Sequence, residues 1–426
     1  MPEEKPDRHL PVRPDLDQLK HQAKDLLRDI RRNDSDAVVA LRKHHPDPIE
    51  PASAKLADAQ LVLARQYGAP SWPRLAQACR LIDAIWEDDI DTVRELVTAN
   101  PRLIHEDARV TRSSWGPPMS YAANLGRDRI ITMLHELGAR DLEHAIDRAA
   151  LQSEIGTVRM LHAMLGSPTP PTGSLRAPAY TLSASGTEIV LELGAPVLDE
   201  QGTCIAPVDV VLETDSRDPT AKHRILELYE RYGVVYPETP VMALHRGRID
   251  LLEEHLRRDP GLLNRTFSHE EIYPPALGCH DEVQATQGTP LKGTTLLHLC
   301  ADYAELEIAR WLLDHGMDVD TRADVDADGF GGHTALFGSV VSQPNFWMNH
   351  HHSAQITPFT ELLLARGADP NVRASLRKQL HPGYGEDETL REFRDVTPLS
   401  WGERYHRKEF VSEPAMRLIA DRGGRV

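Results

Sequence analysis

Hydrophobic residues recur along most of the chain at the spacing of helices rather than strands. The stretch from Ile308 to Leu313 (IARWLL) places its apolar residues on one face of a helix. An earlier stretch, Leu19 to Ile30, carries a second apolar stripe of the same period. The pattern therefore predicts an all-α protein.

A short phrase also recurs, and it combines an entry turn, a helix, a turn, an apolar helix and a glycine stop. Threonine at the entry caps the first helix, proline suits its first turn, and glycine permits a left-handed stop. The copies run from Pro117 to Gly138, Ala177 to Gly194, Ala206 to Gly233, Thr239 onward, Thr295 to Gly316, Thr334 to Gly367 and Thr397 to Gly423.

Two stretches carry the phrase most fully, "TTLLHLCADYAELEIARWLLDHGMDVDTR" and "TPFTELLLARGADPNVRA". They resemble the ankyrin repeat family. The resemblance implies an ankyrin-repeat solenoid of about nine repeats, in which each helix pair stacks on its neighbours. It also implies the ordinary role of that family, a scaffold for protein–protein contacts.

The repeats divide the chain into three predicted regions. Residues 1–80 contain three or four amphipathic helices and resemble the helical leader of bacterial ankyrin arrays, so we interpret them as a helical cap. Residues 81–265 hold degenerate repeats. Residues 266–426 hold repeats whose connecting β-hairpin fingers are enlarged, and successive fingers of a stack lie side by side. Clustered long loops are usually functional, which predicts a walled site between Phe267 and Trp401.

The stretch "DVDADGFGGHTALF" from Asp324 to Phe337 begins like a calcium loop. An EF-hand needs a bidentate glutamate at its twelfth position, and that position counted from Asp324 is Ala335. The stretch is therefore mainly a finger followed by a repeat entry. A divalent metal stays a minority possibility, and no other cofactor is expected. The candidate ligands are Asp324, Asp326, Asp328 and His333.

Two further sets of residues are candidates for chemistry. The first long finger offers histidines beside carboxylates, which suit metal binding or acid–base work but are also common in solvated loops. With His333, these catalytic candidates are His269, Glu270, His280 and Asp281. The third finger and its flanks carry basic and aromatic residues that suit an anionic ligand, unless neighbouring carboxylates neutralise them. These ligand-binding candidates are Trp347, Arg373, Arg377, Lys378, His381, Tyr384 and Trp401.

The composition of the chain restricts the kinds of partner and the compartment that we expect. The formal net charge of −17 argues against nucleic acid, which demands a basic face. No apolar run reaches the roughly 20 residues of a membrane span, and the charged start is unlike a signal peptide. Four scattered cysteines fit a reducing compartment, so a cytoplasmic protein is expected.

Two functions from different classes remain open. The first is recognition of a partner protein or peptide through the concave face and the C-terminal fingers. The alternative is an enzyme, or a small-anion or metal-binding protein, with a pocket built by the three enlarged fingers within residues 265–401. A purely structural adaptor is a third, weaker interpretation. No nucleophile elbow, P-loop, dinucleotide-binding or zinc-protease motif is present to name a reaction.

Overall fold

The chain folds into two compact units, Met1–Pro168 and Thr169–Val426. This computed structural model describes residues 6–214, 217–342, 357–380 and 389–426. The predicted boundaries after residues 80 and 265 lie inside these units and stay predictions. The prediction of a mostly helical fold is confirmed in the described residues.

Helices build the first unit. They are α1 (Leu16–Arg31), α2 (Ser35–His44), α3 (Leu56–Gln66), α4 (Trp72–Trp86), α5 (Ile90–Ala99), α6 (Pro118–Ala123), α7 (Asp128–Glu136), α8 (Leu142–Leu151) and α9 (Ile155–Met164). Asp15 and Asp34 cap α1 and α2 by accepting from backbone amides of the first turn, which explains why these helices begin where they do.

The core of the first unit follows the apolar stripes of the sequence. Leu19 and Ala23 of α1 are buried against Leu63 of α3 and Leu75 of α4. Farther along the chain, α6 packs on α7 and α8 packs on α9, and the short helices α6 and α8 also contact each other. Helix pairs with stacked first helices are the arrangement that the repeated phrase predicts.

Helices also dominate the second unit. They are α10 (Arg176–Tyr180), α11 (Ala184–Glu192), α12 (Val208–Glu213), α13 (Pro219–Arg231), α14 (Pro240–His245), α15 (Ile249–Arg258), α16 (His269–Ile272), α17 (Glu282–Ala285), α18 (Leu296–Tyr303), α19 (Leu306–Asp314), α20 (Ala335–Val340), α21 (Pro358–Ala365), α22 (Pro398–Arg404) and α23 (Glu413–Asp421).

The repeated phrase forms helix pairs in the second unit as well. Its first helices are short and buried, and they pack in series, α14 against α18, α18 against α20, and α20 against α22. Thr239 and Thr397 cap α14 and α22 by accepting from the amides of Met242 and Ser400, as the sequence predicts. Gly316 ends its helix pair with a φ of 93°, which favours glycine.

The described residues contain one sheet of two strands, β1 (Ala374–Lys378) and β2 (Arg391–Val396). The strands are antiparallel, with Leu376 opposite Phe393, and a bulge lies between Ala374 and Leu376. Because strand side chains alternate, Leu376 and Lys378 share the buried face of β1 while Arg377 faces outward. The repeat number and the enlargement of the fingers stay predictions.

Candidate functional site

A cavity of about 430 Å³ opens among three connecting segments of the second unit. We call it the finger pocket. Phe267, Phe330 and Leu376 are buried and give it an apolar floor, while Val325 is 61% exposed at its rim. Charged side chains also line it, and they are Glu282, Lys292, Asp324, Asp326 and Arg377. The pocket therefore joins an apolar surface to polar groups of both signs.

Backbone hydrogen bonds tie the three segments together in series. Within the first segment, the amide of Phe267 donates to the carbonyl of Thr294 at 2.9 Å. The amide of Asp324 donates to the carbonyl of Gly293 at 2.7 Å and joins the second segment to the first. The amide of Gly331 then donates to the carbonyl of Ser375 at 2.7 Å and joins the third. These bonds fix the walls of the finger pocket relative to one another.

The three aspartates of the calcium-like stretch have protein partners. Asp326 accepts from the amides of Asp328 and Phe330, both at 2.9 Å, so it organises the turn. Arg377 bridges the two carboxylates, with Nη2 at 2.6 Å from Asp326 and Nη1 at 2.9 Å from Asp328. Asp324 accepts from the hydroxyl of Thr266 at 2.8 Å. The guanidinium thus lies where a cation between Asp326 and Asp328 would bind.

His333 lies at the inner wall of the finger pocket and is buried. Its Nε2 donates to the carbonyl of Pro290 at 3.0 Å, and its own carbonyl accepts from Nε2 of His298 at 3.0 Å. Burial lowers the pKa of His333 to about 3 and that of His298 to about 4, so both rings are neutral near pH 7. This geometry gives both His298 and His333 structural partners, and the sequence did not indicate the buried position of His333.

Residues 286–291 form a buried segment that we call the insert. It follows α17 and lies against the ends of α20 and α22. The amide of Thr289 donates to the carbonyl of Val341 at 3.0 Å, and Nε1 of Trp401 donates to the hydroxyl of Thr289 at 3.0 Å. The hydroxyl of Tyr405 donates to the carbonyl of Gln287.

Trp401, a predicted ligand-binding residue, is fully buried and packs at 4.8 Å from Phe393 and 4.9 Å from Tyr405. The structure therefore places Trp401 in the core.

The candidates of the first finger lie together but outside the finger pocket. His269 pairs through Nε2 with the carbonyl of His280 at 2.7 Å, and His280 pairs through Nδ1 with Glu213 at 2.6 Å. That hydrogen bond raises the pKa of His280. Asp281 caps α17 by accepting from the amides of its first turn. These contacts give His269, His280 and Asp281 structural partners, and Glu270 lies beside them in α16.

The basic residues of the third finger are neutralised in part by neighbours. Arg373 pairs with Asp395 at 2.7 Å, and Arg394 pairs with Glu392 at 3.1 Å. Lys378 is different, because it is buried and its Nζ has no hydrogen-bond partner among the described residues. Burial lowers the pKa of Lys378 to about 8. The candidates Trp347, His381 and Tyr384 lie outside the described residues.

Sequence reasoning missed Glu282, Lys292, Val325 and Phe330 as pocket residues. Glu282 and Lys292 flank the insert, whose return to the helices has no local signal in the sequence. Val325 and Phe330 lie in the calcium-like stretch, where only the aspartates were considered as candidate ligands. The available signal was the alternation of apolar and polar residues around a tight turn, because Val325 and Gly331 form an antiparallel bridge across that turn.

The ankyrin repeat family model matches residues 292–324, which include α18 and α19. The chain contains an ankyrin repeat. The prediction of this family is confirmed, and an ankyrin repeat is a module for protein–protein interaction. A search of curated proteins gave no match. Among the residues that the structure describes, no helix is suited to crossing a membrane and no three metal-ligating side chains come together.

Proposed function

We propose that the chain is a recognition protein that binds a partner protein or peptide through the finger pocket. The observation that carries the proposal is an apolar floor bounded by both acidic and basic side chains, on walls that backbone hydrogen bonds hold together. Such a surface accepts one apolar side chain of a partner and orients the peptide around it through the charged rim.

Val325 supports this interpretation. A valine that is 61% exposed beside buried Phe330 and Leu376 gives the pocket an apolar edge in contact with water. Covering it with a partner side chain would contribute roughly 25 cal/mol for each Å² of apolar surface removed from water. Rigid walls add affinity because little conformational freedom is lost on binding.

The pairing of Arg377 favours a protein partner over the alternative of a small-anion or metal-binding pocket. The guanidinium is engaged by Asp326 and Asp328, so an anion would have to displace two carboxylates to reach it. A cation would in turn have to displace the guanidinium. A peptide can instead use the pair as a polar rim, without breaking it.

Photo-crosslinking tests the proposal. Benzoylphenylalanine replaces Val325 at the pocket, and in a matched control it replaces Val235, which is 85% exposed in the same unit but does not line the pocket. The proposal predicts discrete protein adducts from position 325 that are absent from position 235. The same adducts from both positions, or none from position 325, would overturn it.

A further inference from the structure

The arginines of the first unit include three that are not neutralised by carboxylates. Arg109, Arg112 and Arg148 take part in no ion pair within the described residues, in contrast to Arg373, Arg377 and Arg394 of the second unit. The Nε of Arg109 is buried without a hydrogen-bond partner there. The Nε of Arg148 donates to the side-chain oxygen of Asn124 at 2.8 Å. Arg148 is buried, with a relative exposure of 8%. Uncompensated guanidinium groups at partly buried positions favour an anion.

Arg109 and Arg112 belong to the segment of residues 107–116, which folds onto α8, the helix that carries Arg148. The amide of Ala108 donates to the carbonyl of Gly116 at 3.0 Å and closes the segment. Gly116 has a φ of 69°, and a Cβ there would lie 2.5 Å from Cε1 of His144. The segment therefore rests directly on α8. His144 and Arg148 are one helical turn apart, so they face the segment together.

Aromatic rings hold the arginine side chains in place. The guanidinium of Arg148 lies over Trp115, with Cζ 5.4 Å from the ring centroid. Trp115 packs against Tyr121 at 4.7 Å. The charges of Arg109 and Arg148, together with that of Arg13, also act on the buried hydroxyl of Tyr121. Arginine stacked on an aromatic ring keeps its donor edge available for a ligand.

Three carboxylates lie near these arginines. Asp107 accepts from the amide of Ser113 at 3.1 Å, and Asp141 accepts from the amide and hydroxyl of Ser120 at 3.1 and 2.5 Å. Asp147 forms no ion pair with Arg148 in the described residues; burial raises the pKa of its carboxyl to about 6, and the charge of Arg148 opposes that rise. Burial also lowers the pKa of Arg148 to about 10, and the charge of Asp147 offsets that shift only in part.

We propose that this place binds a doubly charged tetrahedral oxyanion, either inorganic phosphate or the phosphate group of a monoester. A cavity of about 500 Å³ lies there, and its lining residues are Asp107, Arg112, Ser113, Ser114, Gly116, Pro117 and His144. Arg112 is exposed and meets the anion at the mouth of the cavity, while the more buried Arg109 and Arg148 do not line the cavity and act on the anion by longer-range attraction. Guanidinium groups bind such oxygens with paired, charge-assisted hydrogen bonds.

Calorimetric titration of the full chain tests the site. Inorganic phosphate and O-phosphoserine are titrated separately at constant ionic strength, since salt screens any diffuse attraction. The proposal predicts binding of at least one of them with a dissociation constant of roughly 1 mM or tighter. Tighter binding of O-phosphoserine assigns the site to a monoester, and tighter binding of inorganic phosphate assigns it to the free ion.

Variants decide whether that binding belongs to the proposed cavity. Arg112→Gln removes an exposed arginine and is expected to weaken binding about tenfold or more. Arg129→Gln is the matched control, because Arg129 is also exposed in this unit but does not line the cavity. Arg148→Gln is expected to weaken binding as well, but the exposed Arg112 carries the test if that buried substitution unfolds the unit. Binding weaker than roughly 1 mM for both compounds, or equal affinities for the Arg112 and Arg129 variants, would overturn the proposal.

Discussion

The indole Nε1 of Trp401 donates a hydrogen bond to the hydroxyl of Thr289 at 3.0 Å, although 112 residues separate the two in sequence. The same hydroxyl lies 2.8 Å from the carbonyl of Val341, to which it donates. Thr289 therefore joins the insert to both α20 and α22. A side chain predicted to bind a ligand instead holds part of the protein's own chain.

The substitution Trp401→Phe tests this structural role. It removes the donor to Thr289 and leaves a cavity beside Phe393, so we expect a loss of about 1–3 kcal/mol in the free energy of unfolding. Urea unfolding followed by circular dichroism measures it. Thr289→Val is the companion variant, and its smaller expected loss comes from the hydrogen bonds alone. An unchanged unfolding midpoint for Trp401→Phe would contradict the assignment of Trp401 to the core.

The neutral histidines predict acid sensitivity. Burial lowers the pKa of His333 to about 3 and of His298 to about 4, whereas an unfolded histidine titrates near pH 6.5. Between these values the unfolded chain binds more protons, so stability falls as the pH drops from about 6.5 to 4.

The slope of stability against pH isolates this effect for His333. Each histidine contributes at most about 1.4 kcal/mol per pH unit to the free energy of unfolding. We expect His333→Asn to have a shallower slope than the wild-type chain between pH 4 and 6.5, whatever its absolute stability. The exposed His315 provides the control, and His315→Asn should keep the wild-type slope. Equal slopes for all three proteins would show that His333 is not held neutral.

The buried Lys378 predicts a change of stability at alkaline pH. Its folded pKa of about 8 lies below the value near 10.4 of an unfolded lysine, because burial disfavours the ammonium form. The unfolded chain binds the extra proton between these values, so this group makes stability rise with pH from about 8 to 10. Lys378→Met should remove that rise and stabilise the protein at pH 7. Lys292→Met, at an exposed position, should do neither. If Lys378→Met destabilised the protein at pH 7, it would contradict the claim that the buried ammonium group of Lys378 destabilises the fold.

The bridge from Arg377 to Asp326 and Asp328 predicts how calcium acts. In the wild-type chain the guanidinium lies between the carboxylates, so added calcium should leave the melting temperature unchanged. Arg377→Gln leaves the carboxylates without their cation, and calcium should then raise the melting temperature. Magnesium, which holds its water more tightly, is the control and should raise it less. A calcium-dependent shift in the wild-type chain would show that a metal competes with Arg377.

The helical fold was predictable because its signals are local. Apolar spacing, the threonine caps of Thr239 and Thr397 and the stop at Gly316 each act within a few residues. The proximity of the fingers also followed from the sequence, since the repeat resemblance implies that successive connections lie side by side. His333, Asp324, Asp326 and Arg377 were candidates for reasons of their own chemistry, and all four line the finger pocket.

The rest of the site depends on distant contacts. The sequence contains no local mark that the insert would return to α20 and α22, so Trp401 and His333 were taken as exposed to a ligand. Likewise, Arg377 lies 49 residues from Asp328 in the chain, and only the packing of two fingers pairs them. The lack of ion pairs to Arg109, Arg112 and Arg148 among the described residues is also invisible in the sequence, where acidic residues surround them.

The affinity of the crosslinked partner for two variants tests the central claim most directly. Val325→Glu introduces a charge at the apolar rim of the finger pocket, and Val235→Glu introduces the same charge at an exposed site of the same unit. Proposed recognition through the pocket predicts that Val325→Glu weakens binding about tenfold or more, while Val235→Glu keeps the wild-type affinity. Equal affinities for the two variants would contradict it.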